Sequence, residues 1–298
     1  MPRRRILILG FSCLVAVLLF GIYRVVPEKK KMTPVNSGNN FIKLLQGHDI
    51  SGLPQVFAPR SFSFPADHGP HPEYRIEWWY YTGNLETETG HHFGYQLTFF
   101  RMSLTPQPVD RASQGGTNQT YMAHFALTDV EAQRFYAFER TSRGALGLAG
   151  AMAQPVSVWV DNWFARELDG RNSPPMKSAG LTFSDEWLYL SAAEDEVGLD
   201  LLLHRGKPIF FQDDKGLSQK SAEPGNASYY YSLTRMPTRG TIRVAGKTFQ
   251  VQGLSWLDRE WSTSQLGTEQ VGWNWFALQL SDGSEVMFYQ LRKRDGSL

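Results

Sequence analysis

The chain has 298 residues, enough to bury a large core in one or two domains. Its 30 basic and 29 acidic residues leave a net charge of +1, which gives nucleic acid no electrostatic footing as a partner. The single Cys13 excludes an internal disulfide framework and a cysteine-based zinc site, while an aromatic content of 13 % with 9 Trp favours strands and ligand cavities.

The N-terminus reads as a membrane address. Arg3, Arg4 and Arg5 precede an uncharged run over residues 6–23, near the lower limit for crossing a bilayer. Basic residues ahead of the run favour a cytoplasmic N-terminus and export of the rest, although Lys29, Lys30 and Lys31 on the other side weaken that bias. No small-x-small cleavage motif follows, so an uncleaved signal anchor over residues 1–26 is favoured over a cleaved signal peptide. Gly10-Phe11-Ser12 is a poor acylation box for Cys13. The expected location is the cell envelope, anchored in the inner membrane or free in the periplasm or medium. Residues 27–54 read as a linker.

From residue 55 onward short strand-like runs follow one another. Glu77-Trp78-Trp79-Tyr80-Tyr81-Thr82-Gly83 comes first; as a strand it puts Glu77, Trp79 and Tyr81 on one face and Trp78 and Tyr80 on the other. Further runs occupy 92–102, 121–130, 134–138, 156–164, 181–190 and 199–205, with a long loop over 103–120 that suits a flap. Many short strands without helical periodicity predict an all-β sandwich or barrel. The pattern pauses near 208–226, which predicts a domain boundary: a first β-domain over 55–225 and a second over 226–298. Within the second, Ala245-Gly246 and Asp282-Gly283 are hairpin signals. Asp295-Gly296 is a further turn signal three residues before the end, so the second domain is expected to be incomplete.

The chemistry-bearing residues cluster with the aromatics. In Trp256-Leu257-Asp258-Arg259-Glu260-Trp261, Asp258 and Glu260 fall on one strand face and Arg259 on the other. Two carboxylates against Trp walls suit acid–base work, because an apolar setting and a like charge both raise a carboxyl pKa; the competing reading is a surface turn with one acid paired to Arg259. Glu77 reads slightly better as a structural pin, tied to backbone amides or to Arg75. Asp67, His68 and His71 offer metal-ligand atoms, with His124 or Glu77 as a fourth, but Gly69-Pro70 makes a turn the better account, so no metal is expected. His124 is a lone polar group in an apolar run, more often a core histidine than a catalyst. Gly253-Leu254-Ser255-Trp256-Leu257 lacks the second glycine of a serine-hydrolase elbow. No phosphate-cradling glycine loop occurs, and no cofactor is expected.

Taken together, Asp67-His68-Gly69 with His71, the 77–83 run, His124-Phe125-Ala126, Ser228-Tyr229-Tyr230-Tyr231-Ser232, the 257–262 run and Gly272-Trp273-Asn274-Trp275-Phe276-Ala277-Leu278 resemble the AttH/CrtC family over most of residues 55–298. That family comprises secreted lipocalin-like proteins and includes the carotenoid 1,2-hydratases. The resemblance implies two lipocalin-like antiparallel β-barrels in tandem behind the N-terminal hydrophobic helix, the second running on for several dozen residues. It also implies hydration of an isoprenoid double bond. Asp258 would be the proton donor and Glu260 or His124 would position water, while Trp256, Trp261 and Tyr230 would stabilise a carbocation. Glu77, Trp79, Tyr81, Trp273 and Trp275 complete the expected binding surface. The export segment departs from the pigment enzymes and argues against a carotenoid substrate.

Three readings follow. The first is an envelope hydratase or hydrolase acting on an apolar or lipid-like molecule. The second is a carrier of such a molecule, working with a membrane transporter. The third is a structural module with filled barrels. The carboxylates favour the enzyme.

Overall fold

The computed structural model describes residues 52–106, 113, 115–168, 186–263, 266 and 269–297. The expected anchor over 1–26 and nearly all of the expected linker lie outside the described residues, as does part of the expected flap. Among the described residues no helix is long and apolar enough to cross a membrane.

Residues 76–204 supply nine strands: β1 (Ile76–Glu86), β2 (His92–Ser103), β3 (Gln119–Asp129), β4 (Arg134–Arg143), β5 (Ala149–Ala153), β6 (Val156–Val160), β7 (Trp163–Glu167), β8 (Glu186–Glu194) and β9 (Val197–His204). Two short strands follow, β10 (Phe210–Phe211) and β11 (Leu217–Gln219), then the two longest, β12 (Ala227–Val244) and β13 (Lys247–Ser262). They form one antiparallel sheet of order β4-β3-β2-β1-β13-β12-β9-β8-β7-β6-β5, with β10 and β11 on β12. The chain is therefore all-β, as its alternation predicts.

The sheet curls into a nearly closed barrel, with its β3–β4 end brought against β5 and β6. Arg140 of β4 reaches Glu194 at the end of β8 at 2.7 Å and lies over the ring of Trp163 in β7 at 4.4 Å. Inside, Phe125 stacks on Phe138 and meets the edge of Trp163. Leu97, Phe99, Leu127, Leu201 and Leu203 fill the centre. Gly83 is small for a reason: a Cβ there would sit 2.4 Å from the Tyr95 ring. Tyr95 lies across it to hydrogen-bond Ser255 Oγ at 2.6 Å.

Turn chemistry accounts for the tight links. Ala245 and Gly246, both with positive φ, join β12 to β13 in the two-residue loop expected there. The expected run at 156–164 is two strands, because Asp161 takes φ 54° and folds β6 back on β7.

The predicted boundary at 225/226 is not a break in the sheet. β1 pairs with β13 along its whole length, β12 pairs with β9, and 37–298 forms one compact unit. The turn-rich 208–226 segment, where the strand pattern pauses, folds back onto β12 through β10 and β11. Strand periodicity reports which face is buried, not which partner is paired. Among the described residues the remainder is one hairpin, β14 (Gln270–Gln279) and β15 (Glu285–Lys293), turning at the predicted Asp282-Gly283. A second barrel is not seen among them.

Candidate functional site

Two polar assemblies occupy opposite sides of one wall, made by β1, β13 and β12. The inner one centres on Glu77. Its carboxylate accepts the His71 backbone N–H at 2.8 and 3.0 Å, bonds Arg259 Nη2 at 2.5 Å and is bridged by Arg101 Nε. Burial works to raise its pKa, but the Arg101 and Arg259 guanidiniums overcome this and hold Glu77 well below the usual carboxylate range. Arg259 lies over Trp79 at 3.8 Å, and His71 stacks on Trp261 at 3.8 Å. His71 Nε2 reaches Asp67 at 3.0 Å, and His68 Nδ1 pairs with the Tyr231 hydroxyl at 2.6 Å. Burial, with Arg205 and Arg259 nearby, takes the His68 pKa down to about 4. Asp67 and His68 sit on a 3-10 turn (Ala66–His68). The expected turn is thus what occupies this segment, and its polar groups pin it to the barrel interior.

Glu77, Trp79, Tyr81 and Trp261, expected to line the ligand cavity, belong to this packed interior: each is at most 1 % exposed. The strand parity that grouped Glu77 with Trp79 and Tyr81 is correct, but the face they share is core. Trp261 lies on the opposite face of β13 from the two acids it was expected to flank.

The cleft is outside the barrel, between this wall and the β14–β15 hairpin. Trp273 stacks on Trp78 at 5.4 Å, and Trp275 meets Tyr80 at 5.1 Å and Trp256 at 6.4 Å, so these tryptophans hold the hairpin against the wall. The space between has two lobes that share Trp78, Tyr230, Glu260, Trp273 and Trp275; each is about 450 Å³ or slightly less, counting its open mouth. Asp258 and Phe100 line one lobe, and Lys220 and Tyr289 the other.

Asp258 and Glu260 point into this cleft, as the strand parity predicts. Asp258 Oδ1 accepts the Ser232 hydroxyl at 2.5 Å and the Trp256 indole N–H at 2.6 Å, and Tyr230 also bonds the carboxyl. Burial dominates: it pushes Asp258 up to about 6 against those hydrogen bonds, with the Glu260 charge adding to the rise. Asp258 also helps burial raise the Tyr230 and Tyr80 phenols. Glu260 accepts the Ser228 hydroxyl and pairs with Lys220 Nζ at 2.7 Å. Burial opposes the Lys220 ammonium, but Glu260 and Tyr289 outweigh it and raise its pKa.

His124 does not join them. It lies on β3 behind Phe100 at 5.1 Å, paired with Glu139 at 3.2 Å. Three strand spacings separate it from Asp258 through Thr98 and Tyr80, roughly 14 Å. Sequence reasoning missed Lys220, Tyr289, Trp78, Tyr80 and Phe100 as cleft residues. It also missed Gln212, whose Nε2 donates to Ser232 Oγ at 2.8 Å and so fixes that hydroxyl as a donor to Asp258.

Comparison with known proteins places this geometry. Residues 55–298 match the family model described as AttH-like. The chain belongs to the AttH-like family. The AttH-like chain is 31 % identical to the Nitrosomonas europaea protein NE1406, a candidate AttH of known structure, with a TM-score of 0.68 over 82 % of this chain and 69 % of that one. Kievitone hydratase from Nectria haematococca shares the fold at 13 % identity, with a TM-score of 0.52 over 83 % of this chain and 70 % of that one. No curated protein matches the sequence.

Proposed function

We propose that this AttH-like protein binds an apolar, isoprenoid or lipid-like molecule in the outer cleft and adds water to it by acid catalysis from Asp258. The observation that carries the reading is a buried carboxyl on an aromatic wall with its pKa raised to about 6, so that near neutral pH a usable fraction is protonated. Asp258 gives its proton to one alkene carbon, whose π pair forms the new C–H bond. The positive charge left on the other carbon faces the rings of Tyr230, Trp78, Trp273 and Trp275. Water adds to that carbon, and its surplus proton returns to the Asp258 carboxylate. Glu260, two residues along the same face, orients the water. The role assigned to Asp258 is supported by the AttH/CrtC resemblance; kievitone hydratase, at its low identity, lends only the fold. The N-terminal apolar run would place the protein in the cell envelope, where its ligand could come from the membrane or pass to a transporter.

The test is mass spectrometry of organic extracts from purified wild-type protein and Asp258→Asn. A molecule retained by the variant and recovered from wild type one water heavier supports hydration or hydrolysis. The same unmodified molecule in both makes the protein a carrier, and empty extracts from both count against a ligand site.

A further inference from the structure

The lobe away from Asp258 holds an ammonium whose hydrogen bonds are incompletely used. Lys220 is nine-tenths buried, and its Nζ donates to Glu260 and, at 3.0 Å, to Ser218 Oγ. A lysine ammonium has three N–H donors. The remaining donor lies among the Tyr230 and Tyr289 rings, whose centroids are 5.1 and 4.8 Å from Nζ, in the wall of the cleft. Trp78 lines the same lobe, and its buried indole N–H has no acceptor among the described residues. Two side chains with an unused donor thus stand in the wall of one lobe, and a buried donor without an acceptor costs about 1–3 kcal/mol.

We propose that Lys220, assisted by Trp78, anchors an oxygen of the ligand, and that this oxygen is a neutral acceptor such as a carbonyl or hydroxyl. The proposal rests on the cleft being the ligand site. Neutrality follows from charge: Glu260 already balances the Lys220 ammonium, and a carboxylate or phosphate would add a second anion beside two acids. The ligand class becomes an isoprenoid or other apolar body carrying one uncharged oxygen. Asp258 and Glu260 alternate along one strand face, so the reacting carbon would lie about 7 Å from that oxygen, the span of two strand residues. Lys220 is a specificity residue in this scheme, and it does not touch the reacting atoms.

The probes are geranylacetone and the hydrocarbon that lacks only its ketone oxygen, titrated calorimetrically into the full chain. Wild type is expected to bind the ketone about tenfold or more tightly, the effect of a hydrogen bond to a charged donor. In Lys220→Met that preference should fall toward parity while hydrocarbon binding persists. Because Lys220→Met strands a buried Glu260, the double variant Lys220→Met/Glu260→Gln provides the same comparison with no unpaired charge, after a thermal melt establishes its fold. Equal affinities for the two probes in wild type, or an undiminished preference in the double variant, overturn the anchor alone. If neither probe binds wild type, the cleft is not an apolar-ligand site and both proposals fall.

Discussion

Asp258 and Arg259 are adjacent in the chain yet stand on opposite faces of β13, the acid among the cleft aromatics and the guanidinium over Trp79 inside the barrel. Arg259 is committed to Glu77, so it does not neutralise Asp258. The wall thus keeps a paired, low-pKa carboxylate on its inner side and a high-pKa carboxyl on its outer side. The filled barrel matches what a purely structural module would show, but the unneutralised acid beside an open cleft does not.

Loss of the inner ion cluster should be costly. Glu77→Gln strands two buried guanidiniums, and removing one partner of a buried ionic cluster typically costs about 3–5 kcal/mol. Urea unfolding should report a loss of that order. Glu260→Gln, which strands one ammonium beside an open cleft rather than two enclosed guanidiniums, should cost less.

The two acids also give opposite pH dependences. Glu77 has its pKa depressed, so its stabilisation is complete above the unfolded value and fades as pH falls toward strong acid. Asp258 has its pKa raised to about 6, so the folded state holds a proton that the unfolded chain releases near 4. Stability therefore falls as pH rises from about 4 to about 6, by roughly 3 kcal/mol. Asp258→Asn should remove that decline and leave the acid-side loss intact, as read from denaturation midpoints across pH 3–8.

Gln212 is a positioning residue for the acid. Ser232→Ala deletes a hydrogen bond that favours the Asp258 carboxylate and should raise its pKa by about one unit. Gln212→Leu frees the Ser232 hydroxyl to turn away and should raise the Asp258 pKa by less. A packing defect alone would lower the melting temperature without moving the titration of this carboxyl.

The hairpin is latched at its turn end. Glu285 joins Arg235 at 2.5 Å and Lys207 at 2.9 Å, and Arg235 is one of the extra residues at a bulge in β12 between Leu233 and Met236. Glu285→Gln should loosen the hairpin locally. Hydrogen exchange of the β14 and β15 amides should quicken about tenfold, with β1 and β13 unchanged.

Much of this was legible in the sequence because strand parity is local. The all-β class, the opposition of Asp258 to Arg259 and the two hairpin turns all follow from alternation and turn residues. What escaped depends on long-range pairing. Lys220 sits in a turn-rich stretch where the strand pattern pauses, and it reaches Glu260 only because β11 pairs with β12 and β12 with β13. Trp79 and Tyr81 share a face with Glu77 as predicted, but alternation cannot tell a core face from a ligand face. His124 has the right face and the wrong distance.

The most direct measurement is the side-chain pKa of Asp258, from a carboxyl carbon NMR titration assigned by comparison with Asp258→Asn. The account predicts a value near 6, falling back when Trp273 or Phe100, which line the lobe without bonding the carboxyl, is replaced by a small residue that admits water. A value near 4 in the wild-type protein would mean an ordinary ionised carboxylate, and Asp258 would not be the proton donor of this cleft.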